Sequence, residues 1–185
     1  GRELPMKRRL GSSEENILIT QGNLASTYFV LGREEQALSM LRDAYFGRLK
    51  LHGEEHENTL REATCCAMAL TFSSQFEEAK SLTRKMMPVT QRVLGESHEY
   101  TLKMRWVYAD ALFRADGATL ADLREAETTL EDTERTTRRV FGGAHPTTVN
   151  IERGLRNARA ALRAREGDDV SSVCDAVEKM TPGDA

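Results

Sequence analysis

What this chain is short of narrows its class before any motif is read. Aromatics make up 6% of it and prolines number four, which fits a mostly helical chain rich in Ala, Leu, Arg and Glu. No stretch approaches the roughly 20 consecutive apolar residues of a bilayer span. The first ten residues, Gly-Arg-Glu-Leu-Pro-Met-Lys-Arg-Arg-Leu, carry no apolar h-region and do not read as a signal peptide. Cysteine is also scarce. Cys65, Cys66 and Cys174 are odd in number and two are adjacent, a poor disulfide framework. A reducing compartment, cytosol or nucleus, is expected, with the cytoplasm as the assignment. A net charge of −3 gives no general pull towards nucleic acid or anionic membrane. The 39% apolar fraction of 185 residues is enough for one sizeable core.

What the chain does have is repetition. Gly-Glu-Glu-His-Glu-Asn-Thr-Leu at 53–60 returns as Gly-Glu-Ser-His-Glu-Tyr-Thr-Leu at 95–102 and as Gly-Gly-Ala-His-Pro-Thr-Thr-Val at 142–149. His56 and His98 are 42 residues apart, and His98 and His145 are 47 apart. Periods of this size mark stacked repeats, in which each unit buries its apolar face against its neighbours. Within each period the pattern reads helix, turn, helix. Ile17, Leu24, Ala25, Tyr28 and Leu31 recur at three- and four-residue steps, which predicts an amphipathic helix from about Glu14 to Leu31. Gly32 ends it, and Glu34–Lys50 is the antiparallel partner.

The later helices fall at Thr59–Ser73, Phe76–Leu94, Thr101–Ala115 and Leu120–Phe141, with a glycine-containing loop insertion near 116–120. Ala25, Ala67 and Ala109 occupy one slot, where a small side chain lets helices approach closely. The organisation predicted is a stub of a preceding repeat at 1–12 and repeats at 13–53, 54–95 and 96–142. A capping helix of a partial fourth repeat follows at 143–166, its slots held by Arg156 and Arg159, and then a tail at 167–185. Gly167-Asp168-Asp169 is expected to stop the capping helix, leaving a short helix near 170–180. Pro88 lies inside a helix and should kink it or make it start anew near Met87.

Asn23-Leu24-Ala25 with Tyr28, Gly32 and Ala37 is one such unit, and Leu94-Gly95, His98 and Thr101-Leu102 form its linker, as do Phe141-Gly142, His145-Pro146 and Thr148. On these residues the chain resembles the tetratricopeptide repeat, in its 42-residue kinesin-light-chain-like branch, over about residues 3–165. The resemblance implies an all-α fold, a right-handed α-solenoid of antiparallel helix pairs. It also implies that the first helices line a concave groove. The groove positions are then Ile19, Asn23, Ser26 and Phe29; Arg61, Thr64, Cys65 and Met68; Lys103, Trp106, Asp110, Phe113 and Arg114; and Arg153 and Asn157. Arg61, Lys103, Arg114 and Arg153 outnumber Asp110, so a mildly basic groove favouring an acidic, extended peptide is expected. Trp106 either anchors a partner there or packs between repeats.

Catalytic chemistry finds no footing. The three linker histidines are about one helix pair apart, too far to share an ion at bond lengths near 2 Å. Cys65-Cys66 is not a Cys-x-x-Cys pair, and Cys66 should be core while Cys65 faces the groove. No phosphate loop, nucleophile elbow or His-Glu-x-x-His is present. No cofactor, metal or small-molecule substrate is expected. Arg153, Arg156, Arg159, Arg163 and Arg165 spread over several faces without aromatic platforms, which disfavours nucleic acid. The expected function is a non-enzymatic protein-interaction scaffold. A regulatory or oligomerisation array within a larger protein, or an RNA-binding helical repeat, are the alternatives.

Overall fold

The glycine and histidine of the recurring phrase build each joint between helix pairs, and the threonine completes it at two of them. Gly95 and Gly142 adopt φ of 91° and 85°, a region open to glycine, and their N–H groups close the preceding helix on the Gln91 and Arg138 carbonyls. Three residues on, His98 starts the next helix, its Nδ1 accepting the Tyr100 N–H at 3.2 Å. His56 and His145 do the same for Asn58 and Thr147, each at 3.2 Å. Imidazole here takes the part usually played by Ser or Asp, filling one of the unpaired N–H groups of a helix start. The threonine then turns back. Thr101 and Thr148 donate Oγ1 to the Gly95 and Gly142 carbonyls at 2.8 and 2.9 Å.

A computed structural model describes the backbone of residues 3–180 and the side chains of residues 14–167. Its helices are α1 (Glu3–Val30), α2 (Glu34–His52), α3 (Glu57–Phe72), α4 (Phe76–Leu94), α5 (Glu99–Arg114), α6 (Leu120–Phe141) and α7 (Pro146–Met180). Among the described residues there is no strand. Each helix packs on the next, and α3 also lies on α5 and α5 on α7. That is a solenoid of helix pairs whose first helices sit side by side. Ala25, Ala67 and Ala109 are fully buried in the cores between them. Leu70 and Leu112, three residues further on, fill the adjoining gaps. The loop insertion ends in a capping box between Thr119 and Asp122, which restarts the pattern at α6.

Several expectations change. Helix α4 runs unbroken through Pro88, which is exposed, as is Arg84, whose carbonyl the proline deprives of its partner; water can serve that carbonyl, so the helix does not restart. Helix α7 does not stop at Gly167: a glycine costs only about 1 kcal/mol in a helix interior and does not by itself end one. The segment expected as a separate stub is continuous with α1, which starts at Glu3; residues 1–2 and 181–185 lie outside the described residues. Ile17 and Leu24, expected to face a core, are 54% and 40% exposed. Their counterparts on α3 and α5, Thr59 and Cys66, Thr101 and Tyr108, are buried against the second helix of the pair before, and no such helix precedes α1 among the described residues.

Candidate peptide groove

Helices α3, α5 and α7 lie against one another, but α1 and α3 make little direct contact. The gap between them is a cavity of about 860 Å³, floored by α2. Ile19, Asn23, Ser26 and Phe29 of α1 line one wall, and Arg61, Cys65, Met68 and Phe72 of α3 line the other. One end is aromatic, with the Phe29 and Phe72 rings edge to face at 6.3 Å. Polar groups line the other end, Asn58, Arg61 and Glu62 from α3 and Arg48 from α2. An elongated apolar recess with a few convergent polar groups suits a side-chain-bearing extended segment.

Seven of the residues expected in the groove, Ile19, Asn23, Ser26, Phe29, Arg61, Cys65 and Met68, come together on this cavity. Thr64 does not. It is buried, with its hydroxyl spent on the Leu60 carbonyl at 2.8 Å, because its position on α3 faces the neighbouring helices instead of the gap. The remaining positions form a separate surface on α5 and α7. Arg114, Arg153 and Asn157 are exposed there, and Lys103, Trp106, Asp110 and Phe113 are half-buried. Trp106 is wedged between these two helices, within reach of Gly154, where an added Cβ would lie 3.3 Å from its indole Nε1. That nitrogen is buried with no hydrogen-bond partner among the described residues. The indole therefore serves packing first.

The expected basic field is largely cancelled. Arg61 pairs with Glu62 at 3.0 Å, Lys103 with Glu99 at 2.7 Å and Arg114 with Asp110 at 2.8 Å. Arg114 also lies over the Phe76 ring, 5.0 Å from its centroid. The Lys103 ammonium holds Glu99 below its ordinary pKa. Burial pushes Asp110 up, partly offset by its bond to Arg114. Arg153 bonds Asn150 and, among the described residues, has no carboxylate within ion-pair distance. Sequence counting missed these pairs because their carboxylates lie on the same helix, four residues before Lys103 and Arg114 or next to Arg61.

The cysteines behave as small hydrophobes. Cys66 is buried, and burial raises its thiol to about 12. Cys65 is half-buried on the cavity wall and burial raises it as well. The linker histidines are committed to helix starts through Nδ1, and among the described residues no group of three or more His, Cys, Asp and Glu could hold a metal ion. No described helix is long and apolar enough to cross a membrane. Sequence reading overlooked Arg48, though a signal existed: the same slot one and two periods later holds Thr90 and Thr137.

A solenoid of helix pairs with glycine-histidine joints defines a helical-repeat class, and its relatives narrow it. Residues 17–58 match the tetratricopeptide repeat model. A crystal structure of a single-substitution variant of nearly identical repeats, from a putative kinesin light chain of Podosopora anserina, is similar at 21% identity, with a TM-score of 0.62, over 88% of this chain and 73% of that one. A second crystal structure of those repeats gives 21% identity and 0.59, over 90% and 77%. BtubC (BKLC) from P. vanneervenii gives 16% and 0.64, over 93% and 68%. No curated protein matches the chain. Residues 17–58 form a tetratricopeptide repeat, and the chain has the fold of the kinesin-light-chain-like repeat structures. Tetratricopeptide repeats generally mediate protein–protein interactions.

Proposed function

We propose that this chain is a non-enzymatic interaction scaffold that holds an extended segment of a partner protein along its first-helix face. The observation that carries the reading is the gap between α1 and α3, a preformed apolar recess where the other first helices lie close together. Rigid helices present both walls, so binding needs no large rearrangement and little ordering cost. Free thiols at Cys65 and Cys66 suit a reducing, cytoplasmic setting. The surface around Asp110, Phe113, Arg114, Arg153 and Asn157 would extend the same track to later repeats.

Ser26→Arg tests this. Ser26 is exposed on the cavity wall, so the change should leave the fold intact and fill the recess. Random 12-residue peptides are selected on the wild-type chain and compared by fluorescence anisotropy. Loss of at least tenfold in affinity with Ser26→Arg is expected; equal binding to both chains rules the cavity out as the site. Exchanging Lys103 and Arg114 for Glu probes the second half in the same assay.

The oligomerisation reading has one observation behind it, the exposed Ile17 and Leu24 on α1. It requires a mass that rises with concentration in sedimentation, and Ile17→Lys should hold the chain monomeric. The RNA reading loses support, because Arg159 is taken by Glu127 and Glu131 and Arg165 bonds the Ala118 carbonyl.

A further inference from the structure

Arg48 of α2 is fully buried in the floor of the α1/α3 cavity and forms part of its lining. Its Nη1 donates to Glu15 Oε1 at 3.1 Å. Its Nε and Nη2 are closed to solvent and have no partner among the described residues. Those two nitrogens form one edge of the guanidinium, with parallel N–H bonds spaced to match the two oxygens of a carboxylate. A buried cation with a whole edge unsatisfied is costly to keep unless something uses it.

The repeat itself shows that the slot does not demand a charge. Thr90 and Thr137 hold it in the next two pairs, both buried, with hydroxyls bonded to the Met86 and Thr133 carbonyls at 2.8 and 2.9 Å. The first pair alone among the three places a guanidinium there, and it is also the pair beside the open gap. The neighbouring carboxylates do not meet its free edge. Glu62 is bonded to Arg61, and Glu15 is on Nη1 with its side chain 39% exposed, so its charge is partly spent on water. His52 Nε2 lies 3.8 Å from the same Glu15 oxygen.

We propose that Arg48 is a carboxylate-binding subsite, its Nε–Nη2 edge taking an acidic side chain of the segment bound between α1 and α3; this rests on the peptide reading above. The Glu15 contact places Arg48 towards the Ile19 end of the cavity, away from Phe29 and Phe72. From residue 19 to residue 30 the helix rises about 16 Å, room for about five extended residues. The segment that fits carries an acidic residue four or five positions from an apolar one. Because the free edge of Arg48 is closed to bulk water, access requires a lining side chain of the cavity to swing aside.

The test uses the full chain with two small probes, 4-phenylbutyrate and its uncharged amide, followed by the nitrogen-15 signal of the Arg48 Nε–H. The acid should shift that signal and bind at least tenfold more tightly than the amide. Arg48→Thr, which installs the residue of the later slots, and Arg48→Lys, which keeps the charge but loses the edge, should both abolish the tenfold preference. Equal binding of acid and amide, or a preference surviving in both variants, overturns the subsite. Circular dichroism of each variant separates lost binding from lost folding, and Arg48→Lys remains decisive if Arg48→Thr unfolds. Peptides that bind the wild type, lose affinity with Ser26→Arg and ignore Arg48→Thr refute the subsite and leave the groove standing. Acid binding through Arg48 with no peptide binding supports the subsite and refutes the groove.

Discussion

Gly154 is where a single added side chain should report on both stability and the indole. It is buried on α7, and an ideal Cβ there lies 3.3 Å from Trp106 Nε1, 3.6 Å from Trp106 Cδ1 and 3.6 Å from Leu130 Cδ2. One methyl therefore just fits. Gly154→Ala gains about 1 kcal/mol of helix propensity and gives back part of it in displacing the indole by a few tenths of an ångström, so it should lie within about 1 kcal/mol of wild type. Gly154→Leu has no room beyond its Cβ. Overpacking of a close-packed core costs about 1–3 kcal/mol, and the propensity gain offsets just under 1 of that. The net loss of up to about 2 kcal/mol corresponds to a fall in Tm of up to about 8 °C for a chain of this size. Trp106 is the single tryptophan, so its emission reads the local event separately from the melt. Gly154→Leu should shift that emission to the red as the indole is pushed towards water, while Gly154→Ala should not. If Gly154→Leu melts at the wild-type temperature with unchanged emission, α7 does not lie against the indole as described, and the packing of the third pair is wrong.

Three further outcomes follow from local geometry. Ser74 sits at φ 57° in the slot that Gly32 fills one period earlier, a conformation costing a non-glycine residue about 1–2 kcal/mol; Ser74→Gly should raise stability by about 1 kcal/mol in urea unfolding, and a loss would contradict the strained turn. His98→Ala should cost about 1 kcal/mol by removing a cap, and His98→Asn, whose side-chain oxygen can accept the same N–H, should recover most of it; equal losses would mean that the ring acts by packing alone. Cys66, with its thiol raised to about 12, holds about one thiolate in ten thousand at pH 8; peptide mapping after alkylation should find it unmodified in the folded chain and modified in urea, and rapid labelling of the folded chain would place it at the surface.

Helix pairing is readable because three copies of one pattern align. Ala25, Ala67 and Ala109 have to share a role, and all three are buried. The bounds of α4 and α6 can be read to the residue for the same reason, with Gly95 and Gly142 closing them. What a pattern of types cannot carry is the spacing between elements. The gap between α1 and α3 is a matter of how far two helices splay, and neither Ile19 nor Phe72 signals it alone. Charge pairing escapes a count for a related reason: Lys103 and Arg114 look free until the acids that quench them, Glu99 and Asp110, are weighed on the same helix. Register places Thr64 on the groove, yet its hydroxyl satisfies itself on its own helix and so tolerates burial. Glycine and proline both mislead as breakers here. Gly167 is passed over by α7, and Pro88 sits at an exposed turn where the missing bond costs little.

The histidine joints have a use beyond holding helices. An imidazole that accepts through Nδ1 must carry its proton on Nε2 when neutral, so His56, His98 and His145 are locked in one tautomer for as long as their helices stay docked. Each is a resident spectroscopic marker, one per joint. Nitrogen-15 shifts of the three rings would show which joint of the array opens first under heat, load or a bound partner, with no foreign probe attached.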